Sequence, residues 1–355
     1  MEKRRIRAVL SLIIITLLML NLAGCSQTAS TQTSQAPATQ TIKDTSGRTV
    51  TIPAEVKRIL AVHPVATYML YQLAPNKLVS VDTLFNDQYL GANGLTVYAE
   101  PDLKKLKTLP VTGVFFKGVD PEQILKLKPD VIVTIDRHPK LEEFASQMGI
   151  PVITFSKDSL PLYEQSLRFL GKIVGNEAEA NKLADYWHTT IQAVTKETAT
   201  IPADKKLRVY YANNSILTTP GPGSIMASIM DLAGGNNVAK GLPEPNNENT
   251  SVSLEQVIIW NPEVILTGSE NDKQQIMSSP GWQEINAVKN KRVYVRPKYG
   301  NTDGISALMG LIWVQGKLLH ANDPAFDQSF AQKMSEFYSI FFKYQIKPEQ
   351  ITEVK

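Results

Sequence analysis

The sequence predicts an α/β protein of two parallel-sheet sandwich lobes joined by a single long α-helix. Three observations carry that reading: two successive series of alternating strand-like and helix-like segments, one uninterrupted amphipathic stretch between them, and a short internal repeat with one copy in each series. Strands that alternate with helices pair in parallel and are covered on both faces. A chain of 355 residues is also long for one compact core, which agrees with two units.

Residues 1–24 read as an export signal. Lys3, Arg4, Arg5 and Arg7 precede an apolar run from Ala8 to Leu20, which has the length of a signal core and is short for a membrane-spanning helix. The run ends at Leu22-Ala23-Gly24-Cys25, with small residues before the only cysteine of the chain. This pattern resembles the lipobox of bacterial lipoproteins. The resemblance implies cleavage before Cys25 and a diacylglyceryl group on its sulfur; the other reading is a buried free cysteine in an N-terminal anchor helix. Ser26 to Thr41 contains only Ser, Thr, Gln, Ala and Pro, too little apolar surface to fold, so residues 25–41 are expected to be a lipidated flexible tether.

An N-terminal lobe is expected over 42–176. Lys43–Pro53 alternates polar and β-branched residues around Ser46-Gly47 and predicts a small hairpin. Strands follow at Arg58–Val62, Leu78–Val81, Val131–Ile135 and Val152–Phe155, with helical periods at Thr67–Leu73, Glu122–Leu127 and Leu141–Met148. The connecting helix occupies 177–199. From Glu177 to about Thr198 there is no Gly or Pro, and Ala180, Leu183, Ala184, Trp187, Ile191 and Val194 recur at helical steps. A C-terminal lobe over 200–355 repeats the alternation, with strands at Leu207–Tyr211, Val264–Thr267 and Val293–Val295 and helices near Ile225–Ala233, Leu254–Trp260 and Ser306–His320. Residues 119–133 can be laid over 252–266 without a gap, sharing Glu-Gln, a helix-stopping Pro and an apolar strand after an acidic residue.

Composition excludes several functions. One cysteine forms no internal disulfide, and no CxxC or HxxxH pair offers a zinc site. Residues 1–24 hold four of the 37 basic and one of the 34 acidic residues, so the net charge of +3 belongs to the export signal and the rest of the chain is balanced. Nucleic acid is therefore not an expected partner. GxSxG and HExxH are missing, so no enzyme is expected and no cofactor is implied.

SGRTVTIP, VKRIL, GVDPEQILKLKPDVIV, GSIMASIMDLAGGNNVA, SVSLEQVIIWNPEVIL, SPGWQEINAVKNKRVYV and EFYSIFFKYQI, in this order, resemble the substrate-binding proteins of ABC importers for iron siderophores, haem and vitamin B12. The resemblance spans about Ile42 to Ile351. It implies a ligand cleft between the lobes, a membrane permease and a cytoplasmic ATPase as partners, and capture of a metal chelate, a ferric siderophore first and haem or a corrinoid otherwise. A metal oxyanion such as molybdate, or a ligand sensor without a transporter, is the alternative. A monomer anchored to the membrane through lipid is expected.

In open α/β sheets, ligands sit beyond the carboxyl ends of the strands. That rule selects His63, Asn86, Phe116, Lys117, Arg137, His138, Tyr211, Asn213, Arg296 and Tyr299 as ligand-binding candidates, with Asp87, Phe115, Asn214, Lys298 and Asn301 beside them. Two adjacent aromatics on a strand cannot share a face, so one of Phe115-Phe116 and one of Tyr210-Tyr211 is expected in the cleft. His63 also suits a helix cap before Pro64. Cations, amides and aromatics together suit an anionic or oxygen-rich ligand. A direct metal site is not expected, because His63 and His138 are two where transition metals want three or four ligands. For permease docking the resemblance implies one acidic residue per lobe. Glu122 matches in the first; in the second the matching position is Ser228, and either Asp231, three residues along, substitutes for it or this lobe docks differently.

Overall fold

The computed structural model describes residues 38–81, 106, 108–114, 118–135, 137–243, 249–297, 305–343 and 345–346. Thr39–Lys355 makes one unit, and the residues before Ala38, with the predicted export signal and Cys25, lie outside the described residues.

The chain enters through an antiparallel hairpin, β1 (Thr39–Lys43) and β2 (Thr49–Pro53), turned at Gly47 with φ +83. The hairpin starts at Thr39, so the last residues expected in the tether belong to a strand. Buried Asp44 straps it to the lobe. Its carboxylate accepts from the Ser46 and Arg48 backbones, from the Arg48 guanidinium and from Thr154 at the sheet edge. The first sheet is parallel, in the order β3 (Ile59–Ala61), β6 (Val131–Thr134), β7 (Val152–Thr154). Leu78 and Val81, expected in a strand, make only isolated parallel bridges, to Ile59 and Val111. Between these strands lie α1 (Pro64–Leu73), a two-stranded ladder of β4 (Gly113–Val114) and β5 (Gly118–Val119), α2 (Pro121–Leu127) and α3 (Pro139–Gln147).

Two long helices follow, α4 (Leu160–Val174) and α5 (Glu177–Thr198). The first of them, α4, is not among the helices expected from the sequence; it contains Pro161 and Gly171. Pro161 stands in the first turn, where its missing N–H costs no hydrogen bond. Gly171 is where α5 passes: a Cβ there would lie 2.2 Å from that of Ala180. Trp187 of α5 stacks on Tyr163 of α4 at 5.2 Å between centroids and donates Nε1–H to the Leu160 carbonyl at 2.7 Å. Both ends of α5 are fixed. Asn176, its N-cap, donates to the Leu73 carbonyl at 2.8 Å, while Glu197 pairs with Gln315 and His320, each at 2.8 Å, and Thr198 donates to the Leu232 carbonyl.

The second sheet is also parallel, in the order β10 (Asn236–Asn237), β8 (Arg208–Ala212), β12 (Val264–Thr267), β13 (Val293–Val295). An antiparallel ribbon of β9 (Thr218–Pro220) and β11 (Asn249–Ser251) follows the end of β8. The helices are α6 (Ile225–Leu232), α7 (Leu254–Trp260), α8 (Glu270–Ser278), α9 (Asn286–Lys289), α10 (Ala307–Leu319) and α11 (Pro324–Phe342). Most of α10 is buried, which explains its apolar run through Leu311–Val314. Its contacts with α5, α6 and α11 join the two halves.

One core cluster holds Val131, Val133, Trp187, Tyr211, Val264, Leu266 and Phe337 and so runs through both lobes and the connecting helices. Two smaller clusters cover the outer sheet faces, with Ile132 and Ile124 in the first lobe and Ile265 and Val257 in the second. Alternate residues of each central strand therefore enter different clusters, as a sheet covered on both faces requires.

The internal repeat is a repeat of structure. Lys128 and Asn261 close α2 and α7 in the same left-handed conformation, φ 45 ψ 58 and φ 42 ψ 63. Asp130 and Glu263 then each donate a backbone N–H, at 2.8 Å, to the carbonyls of Arg58 and Arg208. Their carboxylates accept from the backbone N–H of the same two arginines, and each arginine Nε reaches a carbonyl at the end of the helix.

Candidate ligand-binding site and docking face

All parallel strands of a sheet end on one edge, so the candidate site is built from the residues after β3, β6 and β7 in the first lobe and after β8, β12 and β13 in the second. His63 follows β3 and caps α1: its Nδ1 accepts from the Val65 backbone N–H at 3.1 Å. Both readings of this residue thus fall on one position. Burial pushes the imidazole down to about 3, and the positive charge of Lys157 acts in the same direction. His63 is therefore neutral. With Nδ1 accepting, the ring proton is on Nε2, a donor.

Arg137 is exposed, and its guanidinium is forked onto Glu142 at 2.8 and 2.7 Å. Glu142 also meets Arg48 at 2.9 Å and accepts from the His138 backbone. The Arg137 hydrogen bonds hold its carboxyl below the usual range, against the opposing effect of burial. Arg137 thus belongs to a network that includes the hairpin strap. His138 is half-buried at the start of α3.

In the second lobe Asn213 is buried after β8 and donates to Asn249 Oδ1 at 2.9 Å, tying the strand end to the β9–β11 ribbon. Asn214 next to it is left-handed, with φ 65. Arg296 follows β13, and its Nε lies 3.8 Å from where a Cβ on Gly268 would stand. Asn86, Asp87, Phe115, Phe116, Lys117, Lys298, Tyr299 and Asn301 lie outside the described residues.

Tyr211 is corrected: it is 1% exposed and packs in the main core. Tyr210 enters the outer cluster, its hydroxyl donating to the Ile216 carbonyl at 3.0 Å. The expectation that one of the pair faces a cleft passed over the cover that alternating helices give to both faces of the sheet. Here both faces are covered, so two adjacent aromatics each find a core.

Asp231 lies away from the candidate site. It is exposed near the end of α6, close to Gly234 and to Asn236, which pairs with the start of β8. That is the amino edge of the sheet, opposite the candidate site. Partial burial raises its carboxyl, while Lys206 and Lys240 act to lower it. Glu122 is exposed in the first turn of α2, a helix that starts at the carboxyl edge and runs back into β6. The residue matching it in the second lobe is Glu255, exposed in the first turn of α7. The overlay of 119–133 on 252–266 already pairs the two, so the repeat carried the signal.

Sequence reasoning also passed over Lys157, although it follows a strand end as the others do. Three hydroxyls at these edges, Thr134, Thr219 and Thr250, are buried without a hydrogen-bond partner. Thr219 and Thr250 are directly paired across the ribbon. Ser224 caps α6 by accepting from Ala227 N–H, so Gly221–Ser224 leads into a helix. His188 and His320 are paired with Glu164 and Glu197, in keeping with structural roles. Among the described residues, no group of three His, Cys, Asp or Glu could hold a metal, and no helix is long and apolar enough to cross a membrane.

Two α/β lobes on one connecting helix, each ending its parallel strands in polar residues, define a binding protein, and residues 59–299 match the periplasmic binding protein family. The chain belongs to that family. Among its relatives, the molybdate-binding protein MolA of Haemophilus influenzae is 26% identical, over 88% of this chain and 93% of that protein. The vitamin B12-binding protein of Vibrio vulnificus is 26% identical, over 67% and 80%. An ABC transporter solute binding protein from Sulfurospirillum deleyianum superposes with a TM-score of 0.75 at 27% identity, covering 88% of this chain and 98% of its own. The chain is a substrate-binding protein of the ABC transporter family, not an enzyme. Such proteins bind a ligand outside the cytoplasm and deliver it to permease and ATPase components.

Proposed function

We propose that this protein captures a metal chelate, a ferric siderophore first and haem or a corrinoid otherwise. His63 is the observation that carries the reading. Its Nδ1 accepts from the Val65 N–H and its ring is neutral, so it stands at the carboxyl edge of the first sheet as an uncharged polar side chain suited to an oxygen-rich ligand. A histidine that binds a bare metal normally donates its other ring N–H to an oxygen, and here that nitrogen accepts instead. The metal is therefore expected to arrive already coordinated. Arg296 and Lys157 supply positive charge, and relatives named for molybdate and vitamin B12 share the chemistry of an oxygen-rich or metal-containing ligand.

On this reading Glu122 and Glu255, one per lobe, meet the permease. The lobes divide at α5, Cys25 carries the lipid anchor and the protein acts as a monomer. Titration of tryptophan fluorescence with ferrichrome, haem, cobalamin and molybdate in turn tests the ligand class. A saturable response to one of the first three, weakened by His63→Ala, is expected. A response to molybdate alone, or to none, refutes the chelate reading.

A further inference from the structure

We propose that the second lobe holds a second binding site, for a small phosphate monoester, in which Lys291 and Arg292 take the phosphate. The site is a cavity of about 620 Å³ between the turn that enters β13 and the turn that joins α10 to α11. Asn290, Lys291 and Arg292 line it from the first turn, Leu319 and His320 from the second, and Tyr294 from β13. The parallel strand β13 starts here, at Val293, so the cavity lies at the amino edge of the sheet, opposite the candidate ligand-binding residues.

The cations of this cavity lack the partners that their neighbours have. Lys289 meets Glu284 at 2.6 Å and Lys317 meets Asp327 at 3.3 Å, but no carboxylate among the described residues pairs with Lys291 or Arg292. Arg292 is nevertheless held in place. Its Nη2 donates to the carbonyls of Lys317 and Leu318 at 3.3 and 3.4 Å, so the guanidinium stands ready in a fixed position. Lys291 is left-handed, with φ 55, a conformation that glycine adopts freely and lysine does not. Lys317 Nζ, 5.8 Å from the Tyr294 ring centroid, adds to the positive field. Asp323 is the one carboxylate in the lining, and its Oδ1 is occupied, accepting from the Ala325 N–H at 2.9 Å.

These residues define the ligand class. A guanidinium offers a planar fork and an ammonium a point charge, and the two together suit phosphate oxygens. A phosphate monoester carries close to two negative charges at neutral pH and balances both cations, whereas a single carboxylate or a phosphate diester balances one. The cavity is of the size that holds small organic molecules, and exposed Leu319 with half-buried Tyr294 gives the esterified group an apolar wall. His320 links the site to the connecting helix, because its Nε2 lies 2.8 Å from Glu197 in the last turn of α5. An occupant therefore stands beside a residue that pins α5 to this lobe, and the His320 ring reports its arrival.

The test titrates the full chain by calorimetry, at low salt, with glycerol 3-phosphate, inorganic phosphate and phosphatidylglycerol vesicles, and follows the His320 ring signal by NMR. Saturable binding of glycerol 3-phosphate at one site, with a shift of the His320 signal, is expected, and inorganic phosphate should bind more weakly. Arg292→Lys removes the fork and should weaken binding about tenfold. Lys291→Gly removes the other cation while suiting the left-handed backbone, so it should fold as the parent does and still bind several-fold more weakly. Absence of saturable binding, equal affinity in Lys291→Gly and the parent, or binding of the vesicles alone overturns the proposal. The site is separate from the proposed chelate cleft, so failure of the chelate titration leaves this measurement standing.

Discussion

Replacing Asp44 with Asn tests whether the entry hairpin is held by charge. The Asp44 side chain is fully buried and accepts from Ser46 N–H and Oγ at 3.1 and 2.7 Å, and from Arg48 N–H, Nε and Nη2 at 3.0, 3.0 and 2.6 Å. Thr154 adds two more, at 3.3 and 3.1 Å. Asparagine keeps the shape but removes the charge and turns one acceptor into a donor that faces donors. Removing one partner of a buried ion pair costs about 3–5 kcal/mol. Arg48 keeps Glu142 at 2.9 Å, which places the loss near the lower end, about 3 kcal/mol. At about 2–4 °C per kcal/mol, Tm at pH 7 should fall by roughly 6–12 °C.

The pH dependence gives a second check on the same variant. Burial by itself would raise the Asp44 carboxyl, but the hydrogen bonds from Ser46 and Arg48 and the charge of Arg48 outweigh it and hold it below its ordinary value of 3.8. A carboxyl lowered by folding stabilises the protein fully above the unfolded value and loses that contribution as pH falls through the folded value. The gap between parent and variant should thus be complete at neutral pH and close in acid below 3.8. Circular dichroism melts between pH 7 and 3 measure it. A variant within about 2 °C of the parent at pH 7, or a gap unchanged in acid, refutes the reasoning.

Keeping His63 neutral destabilises the fold as pH falls from 6.5 toward about 3, and His63→Gln should flatten that part of the stability curve, read by urea midpoints at several pH values. A Cβ on Gly171 meets Ala180, so Gly171→Ala should cost about 1–3 kcal/mol and Ala180→Gly should restore part of it in the double variant; additive losses would contradict the packing account. Glu122→Arg with Glu255→Arg should leave ligand affinity unchanged and reduce uptake by cells, and parental uptake would remove both from docking.

The architecture was legible where local pattern and tertiary demand agree. Ala180, Leu183, Ala184, Trp187 and Val194 all prove buried on α5, because a long helix between lobes must turn its apolar stripe inward. The repeat was legible because Pro129 and Pro262 end helices whose left-handed caps need a stop. Pattern failed where a residue answers to a neighbour distant in sequence. Nothing in the local pattern marks Gly171 as the place where Ala180 packs. Tyr211 reads as facing a cleft until the main core is seen to close over its side of the sheet. Asp231 reads as a substitute at the Ser228 position until the direction of α6 places it at the amino edge of its sheet. The candidate site was legible only as a rule about strand ends, which named His63, Asn213 and Arg296 but not the tautomer or the pairing of Arg137 with Glu142.

Because α5 is pinned at Asn176 to one lobe and at Glu197 and Thr198 to the other, it behaves as a rod clamped at both ends. Its 22 residues span about 33 Å. Long helices bend smoothly rather than fold sharply unless a proline, a glycine pair or a bulge intervenes, and α5 has no Gly or Pro. The separation of the two lobes is then governed by curvature spread over six turns, and any displacement meets an elastic restoring force. Such a protein recoils after it is pulled open.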